Sequence, residues 1–292
     1  MKALIKSMRL RTLPLSLAGV VCGGLLAMFF RGEGNIQMLL LVAMTACLLQ
    51  ILSNLSNEMG DYKSGVDGEN REGPSYGMAN GLTEKQLWKA INGTVVACCF
   101  CGLAMIWVSY CPWWMLLFGV AAIWAATHYT LGKKPYGYIG LGDLFVFIFF
   151  GLVSVLGSYF VLAHTIDLKL WLLAPAVGMG LLSVAVLNVN NIRDMESDRG
   201  TRLTIPIRIG EQYAKWYQTT LVAIGVGCFY LDPIRPYLIL VTLPFFILHL
   251  VVVWRGHGRK LDPALPMLVI STFVLAVLYS FNAAYSPLRY GL

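Results

Sequence analysis

Apolar residues dominate this chain in runs of about twenty, separated by short polar breaks, and they show neither the period-2 alternation of half-buried strands nor a soluble amphipathic stripe. A helix that crosses the hydrocarbon of a bilayer needs about 20 such residues. The pattern predicts nine spans, at 12–31, 36–56, 88–109, 113–131, 141–163, 170–189, 213–231, 235–254 and 264–285. The breaks are unequal. Arg31–Asn35, Cys111-Pro112, His164–Lys169 and Leu231–Pro236 are short, whereas 58–87 and 190–212 are long, and each long break opens on a cluster of acids and amides.

Composition agrees with the pattern: 58% of the 292 residues are hydrophobic and 13% charged, with a mean hydropathy of +0.68. A soluble domain of this size could not hide so much apolar surface, so the fold class is an all-α polytopic membrane bundle, read as one domain over 1–292. Charge fixes its orientation. With nine spans, 18 of the 22 Lys and Arg residues fall on one side, which the positive-inside rule makes cytoplasmic. The N-terminus is then cytoplasmic, the C-terminus outside, and both acidic clusters face the cytoplasm. This asymmetry accounts for the net charge of +7 without a nucleic-acid partner. The first run is too long for a cleavable signal and lacks a small-residue cleavage site. The seven cysteines lie in or beside apolar runs without metal-ligand spacing and read as small buried hydrophobes.

The two clusters carry the chemistry. The first reads Asn54-Leu-Ser-Asn57-Glu58-Met-Gly-Asp61 and runs on to Asp67; the second reads Asn190-Asn191-Ile-Arg193-Asp194-Met-Glu196-Ser-Asp198. Each holds an Asn-x-x-x-Asp core, Asn57 to Asp61 and Asn190 to Asp194, and residues three and four apart share a helix face. Uncompensated carboxylates are costly beside hydrocarbon and mark a function there. Hard oxygen ligands at this spacing suit Mg²⁺ with a phosphate-bearing substrate, and Arg71, Arg193, Arg199, Arg202 and Arg208 stand near to clamp phosphate oxygens. The clusters begin four spans apart, as in two related halves that share a central cavity. A cation or phosphate transporter would instead place ionisable groups near mid-membrane with access from both sides, and a structural scaffold leaves the duplicated motif unexplained. No phosphate-binding Gly-rich loop followed by Lys-Ser/Thr is present, so nucleotide hydrolysis has no support.

At these residues the chain resembles the UbiA superfamily of intramembrane aromatic prenyltransferases, most closely its 1,4-dihydroxy-2-naphthoate branch. Arg9-Leu-Arg11-Thr12-Leu13-Pro14 is similar to the family's opening Arg-Pro-x-Thr-Leu-Pro. Ser53 to Asp61 with Gly65-x-Asp67 resembles its first acidic motif, and Asn190 to Asp198 its second. Tyr129-Thr130, Gly132, Pro135 and Gly140-Leu-Gly-Asp143 resemble a stretch of the naphthoate branch, and Thr204 to Gly210 the tail of the second motif. Three departures stand out: Glu58 where an Asp is usual, Tyr76 where an Arg commonly follows Arg71-x-Gly-Pro, and Arg202 in place of a Lys.

The resemblance implies a nine-helix bundle around a cavity open towards lipid. It implies Mg²⁺-dependent transfer from a polyprenyl diphosphate to 1,4-dihydroxy-2-naphthoate or a similar aromatic acid in a bacterial cytoplasmic membrane. The naphthoate reaction loses carbon dioxide and gives demethylmenaquinone; 4-hydroxybenzoate and phytyl-quinone acceptors are the alternatives within the family. Asn57, Asp61, Asp67, Asp194 and Asp198 are the expected metal and diphosphate ligands. Asn54, Asn191, Arg193 and the clamps Arg11, Arg71, Lys133 and Arg202 are the expected substrate contacts. Asp143 is expected to orient or deprotonate the acceptor, or to cap a helix. Phe145, Phe147, Phe149, Phe150 and Tyr159 are expected either to line the prenyl tail or to pack the core. Loops 58–87 and 190–212 form the catalytic cap.

Overall fold

The computed structural model describes residues 2–65, 76–166, 168–231 and 237–284, which are helical and, among those residues, contain no strand. A short surface helix, α1 (Lys2–Met8), and a 3₁₀ turn (Leu10–Thr12) lead into α2 (Leu13–Leu26), which ends in a π turn (Ala27–Arg31). Then follow α3 (Ile36–Ser64), α4 (Glu84–Val108), α5 (Met115–His128) and α6 (Gly142–Val146), the last running through a π turn (Phe147–Val153) into α7 (Ser154–Ala163). The second half holds α8 (Leu170–Arg193), the short α9 (Met195–Asp198) and α10 (Ile205–Ile209), α11 (Glu211–Cys228), α12 (Leu243–Arg255) behind a 3₁₀ turn, and α13 (Ala264–Ala284).

Seven of these helical stretches are long and apolar enough to cross a membrane. Met115–His128 is apolar but shorter, and Glu211–Cys228 has 18 residues. Each predicted run corresponds to a helix or to a helix with its π or 3₁₀ turn. The largest difference is in α3, which continues eight residues beyond the predicted end at 56. Hydropathy falls there because Asn57, Glu58 and Asp61 enter, but the backbone stays helical to Ser64. Gly65, in the left-handed region at φ 74°, then ends the helix and caps the carbonyls of Asp61 and Tyr62. The first acidic cluster therefore rides on an intact helix.

Packing places α2, α8 and α13 at the centre. Tyr159, Tyr279, Phe229, Leu162, Leu172, Met179 and Leu182 are fully buried in the main core. Close backbone approach does part of this: a side-chain carbon at Gly151 would lie 2.5 Å from Gly180 of α8. The outer surface carries exposed Phe100, Trp107, Leu117, Ile247 and Leu248, as a lipid-facing surface requires.

Candidate active site

One cavity of about 630 Å³ runs between α2, α3, α4, α5, the α6–α7 stretch and α8. Its two ends differ chemically. The wall at one end contains Arg9, Arg11, Asn54, Asn57, Asp61, Tyr76, Asn190, Asn191, Arg193, Asp194, Arg202 and Asp262. The rest is apolar, and Leu103, Phe118 and Val120, which belong to its wall, are also exposed on the outer surface. The cavity therefore opens sideways between α4 and α5. The π turn after α6 contributes Phe149, Phe150 and Val153. Phe145 stacks on Tyr136 at 4.1 Å and on Phe149 at 6.3 Å, giving a ladder of aromatic faces along one side. Phe147 instead lies against Gly180, and Tyr159 is core.

The first cluster is held by tertiary contacts. Gly60 lets α3 press against Thr130, where any side-chain carbon would come within 2.5 Å. Thr130 then donates to the Ser56 carbonyl at 3.0 Å and to Asn57 Oδ1 at 3.2 Å. Asp61 is 4% exposed and accepts from the Tyr138 hydroxyl at 3.1 Å and from Arg202 Nη2. The same guanidinium reaches Asp198 Oδ2 at 3.6 Å and lies over the Tyr138 ring at 4.8 Å. One cation from the second long loop thus joins the carboxylates of both clusters. Burial works against the Arg202 charge, but Asp61 and then Asp198 outweigh it and hold the guanidinium firmly protonated. Burial, reinforced by Asp61, also pushes the Tyr138 phenol upward, which keeps it an O–H donor.

The second cluster is braced by its own neighbours. Arg193 grips the next residue side-on, Nε to Asp194 Oδ1 and Nη2 to Asp194 Oδ2, each at 2.7 Å. Its Nη2 also donates to Asn190 Oδ1 at 2.8 Å, and Nη1 to Asp262 Oδ1 at 3.2 Å. Asn190 Nδ2 returns a bond to Asp194 Oδ2 at 3.3 Å. Such charge-assisted forks are strong and directional. Arg193, expected as a substrate contact, has its donors committed to these side chains.

Asn54, Asn57, Asp61, Arg11, Asn191, Arg193, Asp194 and Arg202 meet at the cavity, and Asp198 joins through Arg202. Asn54 is occupied by structure: its amide donates to the Met8 carbonyl at 2.9 Å and to Thr12 Oγ1 at 3.0 Å, tying the N-terminal segment to α3. Two of the expected site residues lie off the cavity wall. Lys133 is exposed on the turn after α5 and is not part of the cavity wall. Asp143 also lies off that wall; it accepts from Tyr217 of α11 at 3.0 Å, and it is not the N-cap of α6. Asp67 and Arg71 lie outside the described residues. Glu58 turns away from the cavity: it is fully buried, and Oε1 accepts the Met78 N–H at 2.6 Å.

Sequence reasoning missed Arg9, Tyr76, Tyr138 and Asp262. Tyr76 carried a signal as the residue standing where an Arg commonly follows Arg71-x-Gly-Pro, and Arg9 through its place in the opening motif. Arg9 lies in the left-handed region, φ 49° and ψ 49°, a conformation costing a non-glycine residue about 1–2 kcal/mol. Its guanidinium sits 3.8 Å from the centroid of Tyr76. Arg11 Nη2 donates to the hydroxyl of the same tyrosine at 3.3 Å.

The oxygen donors fit a hard divalent cation. Asn57, Asp61, Asp194 and Asp198 offer carboxylate and amide oxygens without sulfur or imidazole, the set that suits Mg²⁺. Arg202 already shows that oxygens from both clusters accept one positive group between them. Among the described residues no three carboxylate, histidine or cysteine side chains converge as a closed metal cage. A cation here would share its coordination with amides, water and substrate oxygens, as Mg²⁺ commonly does.

Known proteins resemble this chain in sequence and in fold. The chain is 40% identical over 275 residues to the 1,4-dihydroxy-2-naphthoate octaprenyltransferase of Escherichia coli (strain K12), covering 90% of this chain and 87% of that protein. It is 33% identical over 291 residues to the protein of the same name from Mycobacterium tuberculosis (strain ATCC 25618 / H37Rv), covering 97% of both. Among solved structures, a UbiA homolog from Aeropyrum pernix K1 without ligand superposes with a TM-score of 0.69 at 15% identity, covering 94% of this chain and 97% of that one. A UbiA homolog from Archaeoglobus fulgidus bound to DMAPP and Mg²⁺ gives 0.65 at 15% identity, covering 97% and 99%. The family model described as the UbiA prenyltransferase family matches residues 16–267, and this chain, an integral membrane prenyltransferase, belongs to that family.

Proposed function

We propose that the chain transfers a polyprenyl group from its diphosphate to the ring of 1,4-dihydroxy-2-naphthoate, with loss of the carboxyl group as carbon dioxide, giving the prenylated naphthalenediol that is the reduced, quinol form of demethylmenaquinone. The observation that carries this reading is the meeting of both clusters, through Arg202, at the polar end of a cavity whose other end is apolar and open sideways. A diphosphate joined to a long hydrocarbon tail has the same two-part character. The names of the naphthoate relatives support the acceptor.

Asn57, Asp61, Asp194 and Asp198 would hold Mg²⁺. When bound, Mg²⁺ supplies the charge that makes pyrophosphate a competent leaving group. The chain's own residues position and polarise the rest. Arg202 keeps a planar, permanent charge beside Asp61 and can turn its donors to diphosphate oxygens. Tyr138 and Thr130 fix the orientation of Asp61 and Asn57, and Arg193 with Asn190 does the same for Asp194. Arg11 adds positive charge at the polar end. The faces of Phe145, Phe149 and Phe150 border the apolar half, where they attract positive charge developing on the allylic carbon. The acceptor ring attacks that carbon, the carbon–oxygen bond to diphosphate breaks, and the carboxyl leaves with its bonding pair returned to the ring.

The same reading takes the chain as one domain of nine spans, capped by 58–87 and 190–212. Its N-terminus is cytoplasmic, its C-terminus outside, and its site faces the cytoplasm of a bacterial cytoplasmic membrane. The distribution of Lys and Arg supports this orientation. The test supplies purified protein with geranylgeranyl diphosphate, Mg²⁺ and 1,4-dihydroxy-2-naphthoate. The expected product has the mass of the prenylated ring less carbon dioxide, formation stops with a chelator, and added Mg²⁺ restores it. Prenylation of 4-hydroxybenzoate alone would overturn the acceptor assignment.

A further inference from the structure

We infer that Arg9, stacked on Tyr76, binds the carboxylate of the aromatic acceptor through its Nε/Nη2 edge. Three observations meet on this side chain. It belongs to the cavity wall at the polar end. Its Nε and Nη2 are buried and, among the described residues, have no hydrogen-bond partner. Its backbone occupies the left-handed region, where glycine or asparagine is the ordinary choice. A buried donor pair without an acceptor is costly, and strained backbone persists where the side chain it presents is needed.

The free edge specifies the ligand. Nε and Nη2 are the two atoms with which Arg193 grips the Asp194 carboxylate at 2.7 Å in this same cavity. Arg9 offers that edge to a ligand, with one face of its guanidinium already against Tyr76 at 3.8 Å. Two parallel donors on a flat group match the two coplanar oxygens of an aryl carboxylate. The diphosphate, the other oxyanion in the reaction, has its own pole. The N-terminal segment is tied to α3 at Asn54, beside Met8, whereas Arg202 meets α3 at Asp61. Those tie points are seven residues apart on one helix, about 10 Å along its axis.

This inference rests on an aromatic acid being the acceptor, so its test uses binding rather than turnover. Thermal-shift titrations of the purified full chain would compare 1-hydroxy-2-naphthoate, 1-naphthol and inorganic pyrophosphate, for wild type, Arg9→Gln and Arg9→Lys. Loss of a bidentate charged contact should weaken 1-hydroxy-2-naphthoate about ten- to hundred-fold in Arg9→Gln. The dissociation constants for 1-naphthol and pyrophosphate should stay within about twofold. Arg9→Lys keeps the charge without the fork and should fall between; it carries the comparison if Arg9→Gln does not insert. Arg9→Gly, suited to the left-handed backbone, should raise the unfolding midpoint while losing carboxylate preference. A pyrophosphate constant that rises while the naphthoate constant holds would assign Arg9 to the diphosphate and overturn the inference. Equal losses for all three ligands, or none, would also overturn it. Wild-type protein that binds 1-hydroxy-2-naphthoate by this edge but does not prenylate 1,4-dihydroxy-2-naphthoate would sink the proposed reaction and leave the carboxylate site standing.

Discussion

The two acidic clusters share an Asn-x-x-x-Asp core but are built differently. The cluster on α3 is satisfied from far along the chain: Asn57 by Thr130, and Asp61 by Tyr138 and Arg202. The cluster ending α8 is satisfied by its neighbours, because Arg193 holds both Asp194 and Asn190. A carboxylate whose cation comes from another loop can exchange that cation for a ligand. A carboxylate gripped by the adjacent residue keeps a fixed direction. Likeness in sequence therefore hides a division of labour, with one flexible partner and one rigid one.

Removing the carboxylates tests the shared part of that division. Asp61→Ala and Asp194→Ala should each lower turnover about a thousandfold or more while the protein still inserts, measured as prenylated product per mole of purified protein. Near-normal turnover in either would remove the ligand assignment. The arginines should then separate the clusters. Arg202→Ala should lower kcat/KM about a hundredfold, with Arg202→Lys recovering only part, because Lys lacks the fork that spans Asp61 and Asp198. Arg193→Ala should act chiefly on stability, by about 3–5 kcal/mol, since it strands a buried carboxylate. If thermal unfolding ranked these two variants the other way, the contrast would be reversed. Tyr138→Phe removes one hydrogen bond from Asp61 and should cost about fivefold in kcat/KM, read from initial rates across Mg²⁺ concentrations. Lys133→Ala, on an exposed turn away from the cavity, should stay within about twofold.

Much of this fold was legible because hydrocarbon imposes a length and a composition on anything that crosses it. The helical runs from 36, 170 and 264 show this, each beginning where the apolar pattern begins. The end of α3 was not legible, since hydropathy reports contact with lipid and Asn57 to Ser64 remain helical through contact with protein. The two Asn-x-x-x-Asp cores pointed to the site, because carboxylates beside a span are expensive. Their wiring was hidden. Arg202 reaches Asp61 across 141 positions of sequence, and Tyr138 does so across 77, distances over which no local pattern acts. Lys133 and Asp143 lie off the cavity wall for the same reason: a motif gives their order in the chain, while the turn between α5 and α6 decides which way they face.

The unbroken run of α3 through 29 residues joins hydrocarbon and chemistry in a single rod, about 43 Å long by the rise of a helix. Bilayer thickness sets the tilt at which such a rod is most comfortable. A lean of the stem moves its tip as well, so a bilayer whose thickness tilted α3 would also shift the Asp61 carboxylate at the cavity.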